Sequence, residues 1–119
     1  MIRQYQASIT CSGSDGSATG SARFGAVSGC VKAVHLDHSA GQAATTQVVI
    51  ATAHAPISTL LTITGNTDGW YYPAITLCDS SGGSLDMAAS VPISDELAVT
   101  VTGADDTETV TVTILVETY

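Results

Sequence analysis

The chain has 119 residues, 45% of them hydrophobic, and its three basic and eleven acidic residues give a formal net charge of −8 at pH 7. This length fits one domain, residues 1–119, that can bury a core without metals or disulfides, and the hydrophobic fraction excludes a disordered chain. The acidic surface repels phosphate backbones, and no apolar run approaches the ~18 residues of a membrane-spanning helix, so neither nucleic acid nor a membrane is an expected partner.

The first half of the chain divides into short segments separated by small and polar residues. Residues 2–9 are predicted to form the first strand, which ends at the Ser, Gly and Asp residues of 11–17. Further strands are expected at 19–24, 29–37, 47–54 and 58–64, with breaks at Gly25, around residues 39–41, and at Pro56. The β-branched residues near 47–54 favour a strand over a helix in this Ala-rich stretch.

The second half carries the clearest period-two pattern. Shorter strands are expected near 70–77 and 84–89, and then Val and Ile alternate with Thr over 97–102 and 109–116. The polar turn at 103–108 predicts that these two segments pair as a C-terminal hairpin. Eight to ten short strands are typical of an all-β domain, an antiparallel β-sandwich or jelly-roll-like barrel, with helix below about a tenth of residues.

The histidines are the first candidates for chemistry. His35, Asp37 and His38 could approach a metal with His54, but on a strand His35 and Asp37 share one face while His38 takes the other. A metal needs three or four converging ligands, so neither a metal nor another cofactor is expected. No Gly-x-Ser-x-Gly elbow is present and nothing marks Cys30 beside His35 as activated, which favours a protein without enzymatic activity.

The three cysteines are odd in number and widely spaced. Cys11, Cys30 and Cys78 are interpreted as small buried side chains in a reducing compartment rather than as a disulfide framework.

An aromatic turn stands out at residues 64–73, where Gly and Asn residues precede Trp70, Tyr71, Tyr72 and a proline. Either Trp70 closes one end of the core, or the tyrosines form part of an interface, since aromatic loops are frequent binding sites in all-β domains. Alternation on a strand places Tyr71 opposite Trp70 and Tyr72. The bulk of Trp70 favours an inward position for it, which makes Tyr71 the predicted exposed anchor.

The chain ends offer weaker interface candidates. Arg3 and Tyr5, with Glu117 and Tyr119, are the larger polar residues of strands otherwise made of small side chains. They are candidates for contacts with a neighbouring subunit, although frayed ends are the usual state of such segments.

Four segments together carry a resemblance: residues 1–7, the strand at 29–36, the Thr-rich segment 62–73 with its aromatic-Pro end, and the C-terminal Val/Thr pattern. In this order they resemble small β-rich structural proteins of tailed bacteriophages, the group that includes capsid decoration (cement) proteins.

The resemblance implies a virion structural protein that binds the outer surface of the phage head and stabilises it, without an active site or cofactor. Its implied partners are the major capsid protein and copies of itself, as a homotrimer. Its implied location is the capsid surface after assembly in the host cytoplasm, in line with the lack of an apolar signal segment in residues 1–6. The alternative is a tail- or fibre-associated module that recognises carbohydrate or another tail subunit through Trp70, Tyr71 and Tyr72. A small hydrolase ranks behind both.

Overall fold

A computed structural model describes residues 1–118, and the regular secondary structure in this range is entirely β-strand. The eight strands pair antiparallel throughout, which confirms the predicted fold class. No helix in these residues is long and apolar enough to span a bilayer. The strands are β1 (Ile2–Thr10), β2 (Ala18–His38), β3 (Gln47–Thr52), β4 (Thr59–Thr64), β5 (Gly69–Tyr71), β6 (Ala74–Cys78), β7 (Ser84–Ala104) and β8 (Thr109–Thr118).

One sheet in the order β1-β8-β2-β7-β3-β4 closes over a single core in a sandwich-like manner, with β5 paired to β2 and β6 to β7. The long strand β2 belongs to both halves of the sheet, because its residues 29–38 pair with β8 and its residues 18–31 pair with β7. Tyr5 of β1 packs edge-on against Phe24 of β2, with the ring centroids 6.1 Å apart. This contact joins the two halves of the sheet across the core.

The core follows the period-two pattern of the sequence. Val110, Val112, Ile114 and Val116 on β8 are completely buried, and so are Leu97, Val99 and Val101 on β7. Full burial of a Val, Ile or Leu side chain contributes about 1.5–3 kcal/mol, so these alternating positions dominate the stability of the fold. The threonines between them lie on the outer face, where Ser8 and Thr111 hydrogen bond at 2.9 Å.

Two predicted strand breaks are wrong. The segments expected at 19–24 and 29–37 form one strand of 21 residues, β2, and the segments at 84–89 and 97–102 both belong to β7. At Gly25 the pairing of β2 with β7 shifts between Phe24 and Val27. A β-bulge of this kind absorbs extra residues and bends the strand without ending it.

The predicted C-terminal hairpin is also wrong, because β7 and β8 do not pair with each other. Both pair with β2, β7 mainly with its first half and β8 with its second half, so the 105–108 turn connects the two halves of the sheet. Contacts with the loop between β1 and β2 hold this turn in place. The Cys11 N–H donates to the Glu108 carbonyl and the Thr107 N–H donates to the Cys11 carbonyl, each at 2.9 Å.

Candidate interaction surface

Trp70 lies on the outer face of the sheet, not in the core. In the pairing of β5 with β2, Trp70 is opposite His35, and the two rings pack against each other in a tilted arrangement, with centroids 4.9 Å apart and planes inclined by 58°. The indole remains 48% exposed. The expectation that Trp70 faces inward is therefore wrong.

Tyr71 occupies the inward position instead. It lies opposite the fully buried Val34 and packs against the core, while its hydroxyl donates to the Thr67 carbonyl at 3.4 Å. Tyr72, two residues from Trp70, is 71% exposed. The predicted alternation is thus confirmed, but the two faces are exchanged: Tyr71 faces the core and Trp70 faces outward. The residues of β2 that lie opposite each side chain decide this orientation, and side-chain bulk does not.

The turn before β5 is held by two buried residues. The Asn66 amide donates to the Gln42 carbonyl at 2.8 Å, and Asp68 accepts hydrogen bonds from the His38 backbone N–H at 2.6 Å and the His38 ring at 3.1 Å. The backbone bond from His38, followed by the ring contact, lowers the pKa of Asp68. These contacts position β5 and present Trp70 and Tyr72 at the surface.

Arg3 and Tyr5 lie away from the aromatic turn. Tyr5, Ile114, Val34 and Tyr71 form one row across four paired strands, which places Tyr5 and Tyr71 roughly 14 Å apart at three strand spacings. Tyr5 is half-buried against Phe24, and Arg3 is exposed. They border a shallow cavity of about 300 Å³ lined by Met1, Arg3, Tyr5, Ala26, Ser28 and Thr118. Tyr119, the other terminal candidate, lies outside the described residues.

The histidine candidates do not converge. His35 and Asp37 face outward while His38 is buried, as the alternation of β2 predicts, and His54 lies on the loop after β3. There His54 hydrogen bonds Asp95 at 2.6 Å, and this contact is the main cause of the lowered pKa of Asp95. Among residues 1–118 no three His, Cys, Asp or Glu side chains are arranged to hold a metal ion.

The three cysteines are free thiols in three different environments. Cys11 is buried, and its burial raises the pKa of the thiol. Cys30 is partly buried and Cys78 is exposed. The prediction of buried side chains is therefore right for Cys11 and wrong for Cys78.

A two-stranded arm forms at residues 74–90, where strands were expected near 70–77 and 84–89 but their pairing was not predicted. It consists of β6 and the first part of β7, and Ile75 lies opposite Ala89 in its register. At its tip the Asp79 carboxylate accepts hydrogen bonds from the Ser81 and Gly83 N–H groups, each at 2.9 Å. These bonds lower the pKa of Asp79 and close the turn. Within the described chain β6 pairs with β7 alone, and the molecule is 47 Å long but only 28 by 26 Å across.

The arm and its base concentrate the exposed apolar surface of the molecule. Of the eight large hydrophobic side chains that are exposed within residues 1–118, five lie between positions 70 and 87: Trp70, Tyr72, Ile75, Leu85 and Met87. The remaining three are scattered, at Met1, Ile2 and Ile57. This concentration along one segment makes the arm and its base a candidate interaction site, whereas single exposed apolar residues do not need an explanation.

No known protein family matches this chain, and neither the curated proteins nor the solved structures include a significant match. The function must therefore be argued from the surface itself.

Proposed function

We propose that this protein is a virion structural protein, a capsid decoration protein that binds the outer surface of a phage head and stabilises it. The observation that carries the proposal is the apolar cluster on the arm and its base, Trp70 to Met87, in a protein whose net charge is −8. The net charge is enough to keep a protein of this size soluble, so the concentration of exposed apolar side chains in this one segment is best explained by a partner.

A two-stranded hairpin is only marginally stable by itself in water, since its apolar side chains are covered on neither face. The arm is therefore expected to gain its full stability from a partner surface. On a phage head many identical sites are presented, and several weak contacts per shell subunit add up to tight coverage. The resemblance to phage structural proteins makes the major capsid protein the proposed partner.

The alternative function, a tail- or fibre-associated module that recognises carbohydrate or another tail subunit, is favoured by one observation. Trp70 is half-exposed, packs on the His35 ring, and belongs to the same row of the outer face as Thr113 and Gln6, which lie two and three strands away. A fixed aromatic ring on the same face as hydrogen-bonding groups can stack on a sugar ring.

The test is to add the purified protein to heads of the encoding phage that were assembled without it, and to image them by electron microscopy. Regular density on the outer surface of the shell, with a higher melting temperature of the decorated heads, is expected. Density on tails with bare heads would support the alternative and contradict the proposal. A gene neighbourhood of major capsid protein and protease, rather than tail and baseplate genes, is the corresponding genomic expectation.

A further inference from the structure

We infer that the core-side face of the arm docks on an apolar strip with a basic rim on a different protein, rather than on a second copy of this chain. This inference rests on the proposed function and specifies the chemistry of the surface that the arm binds.

The core-side face of the arm continues the inner face of the sheet beyond the body. Val91 and Ile93 on β7 are buried, and Ala89 and Met87 follow at the same alternate positions. Ile75 lies opposite Ala89, so it shares this face. Inside the body the opposite half of the sheet covers such positions, but Ile75 is 39% and Met87 60% exposed. The arm is thus one layer of a sandwich, and a partner must supply the second layer.

The charge of the arm indicates what surrounds that second layer. Residues 74–90 contain Asp79 and Asp86 but neither Lys nor Arg. A partner that places basic groups around an apolar strip would therefore complement both the apolar face and the negative charge of the arm.

A second copy of this chain does not fit that description. It has only three basic residues with which to form a basic rim, and two of them already lie in exposed ion pairs, Arg23 with Glu96 and Lys32 with Glu117, each at 3.3 Å. Two copies with a net charge of −8 also repel each other. The homotrimer that the resemblance implies would have to use another surface.

The experiment measures co-sedimentation of the full chain with phage heads that lack it, at about 0.05 M and about 0.5 M NaCl, with light scattering of the protein alone. Met87→Ser should weaken binding at least about fivefold at both salt concentrations, as the loss of an apolar anchor does. Its matched control is Ile57→Ser, which changes an equally exposed side chain on the loop between β3 and β4 and should leave binding unchanged.

Asp86→Asn tests the basic rim. Asp86 has a positive φ of 54°, which Asn accepts readily, so the variant removes charge without straining the backbone. Binding should weaken about threefold at low salt, and the difference should disappear at high salt because the ions screen it. The control is Asp106→Asn, beyond the opposite end of β7, which makes the same charge change away from the arm.

The outcomes separate the two proposals. Wild-type protein that does not bind heads overturns the proposed function, and this inference with it. Binding that Met87→Ser leaves intact overturns the inference while the proposed function stands. The inference is also overturned if the free protein forms a stable oligomer that Met87→Ser dissociates, because a second copy of the chain would then cover the arm. Circular dichroism and thermal unfolding verify that each variant is folded.

Discussion

At the residue scale, Trp70 and Tyr71 are neighbours with opposite environments. The backbone pairing of β5 with β2 sets Tyr71 against the buried Val34 and Trp70 against the outward-facing His35. The larger side chain is therefore the one available for contacts, and the smaller one packs against the core. Among the aromatic candidates, Trp70 and Tyr72 are the exposed side chains, in place of the predicted Tyr71.

Tyr71→Ala should lower the free energy of unfolding by about 2–3 kcal/mol, because it leaves a cavity beside the core. Trp70→Ala should lower the free energy of unfolding by about 1 kcal/mol or less, since it removes a half-exposed ring and its contact with the His35 ring. Urea titrations of the two variants and the wild type measure both values. A larger loss for Trp70→Ala than for Tyr71→Ala would contradict the observed orientation.

Acid should destabilise the protein through Asp68. The hydrogen bonds from His38 lower the pKa of this carboxyl in the folded state. Asp68 therefore contributes stability above its unfolded pKa of about 3.9, and this contribution is lost as the pH falls towards the folded pKa. The pKa values of Asp95 and Asp79 are lowered as well, so these carboxylates also contribute stability that is lost in acid.

Melting temperatures measured between pH 7 and pH 2 should fall most steeply below about pH 4. Asp68→Asn should be less stable than wild type at pH 7, and the gap should narrow in acid because the wild-type carboxyl becomes neutral there. A gap that stays constant with pH would show that the charge of Asp68 is not what stabilises the turn.

At the scale of elements, Gly103 at the end of β7 is the position where the chain leaves one half of the sheet. Its φ is +65°, and a Cβ would collide with the Thr45 carbonyl oxygen. Gly103→Ala should therefore cost at least about 2 kcal/mol in the free energy of unfolding. Gly25→Ala is the matched control, because a Cβ at Gly25 meets no atom within 4 Å. Equal stability of the two variants in urea would contradict this role of Gly103.

The arm should be the least protected part of the strand structure, because one sheet layer without a covering layer opens at little cost. In native-state hydrogen exchange, amides of β6 are expected to exchange at least about a hundredfold faster than the amides of residues 110–116 in β8. If the proposed partner covers the arm, the amides of β6 should become protected in the complex. Slow exchange of the arm in the free protein would mean that it is stable without a partner.

At the scale of the whole molecule, charge is the dominant long-range force. Eleven acidic and three basic residues repel within a small volume, and the ion pairs are exposed and weak. Raising NaCl from about 10 mM to about 200 mM screens this repulsion. The melting temperature should rise by about 2–5 °C, as measured by calorimetry. A fall with added salt would show that attractive pairs outweigh the repulsion.

The sequence determined the fold class and the inner faces of the main strands. Alternation along 97–102 and 109–116 assigns Val99 and Val112 to the core by itself, because side chains on a strand take opposite faces in turn. The same rule separated His35 from His38. These features depend on neighbours along the chain, so they can be predicted from one segment at a time.

Strand pairing and exposure were decided only in the tertiary structure. The partner of β8 depends on β2 and on contacts such as that of Cys11 with Glu108, which are distant in sequence. The face of Trp70 depends on whether Val34 or His35 lies opposite it. Met87 and Val91 fit the same alternating pattern, yet only Val91 is covered by the other half of the sheet. A local pattern states which side of a strand is apolar, and the tertiary structure decides whether anything covers that side.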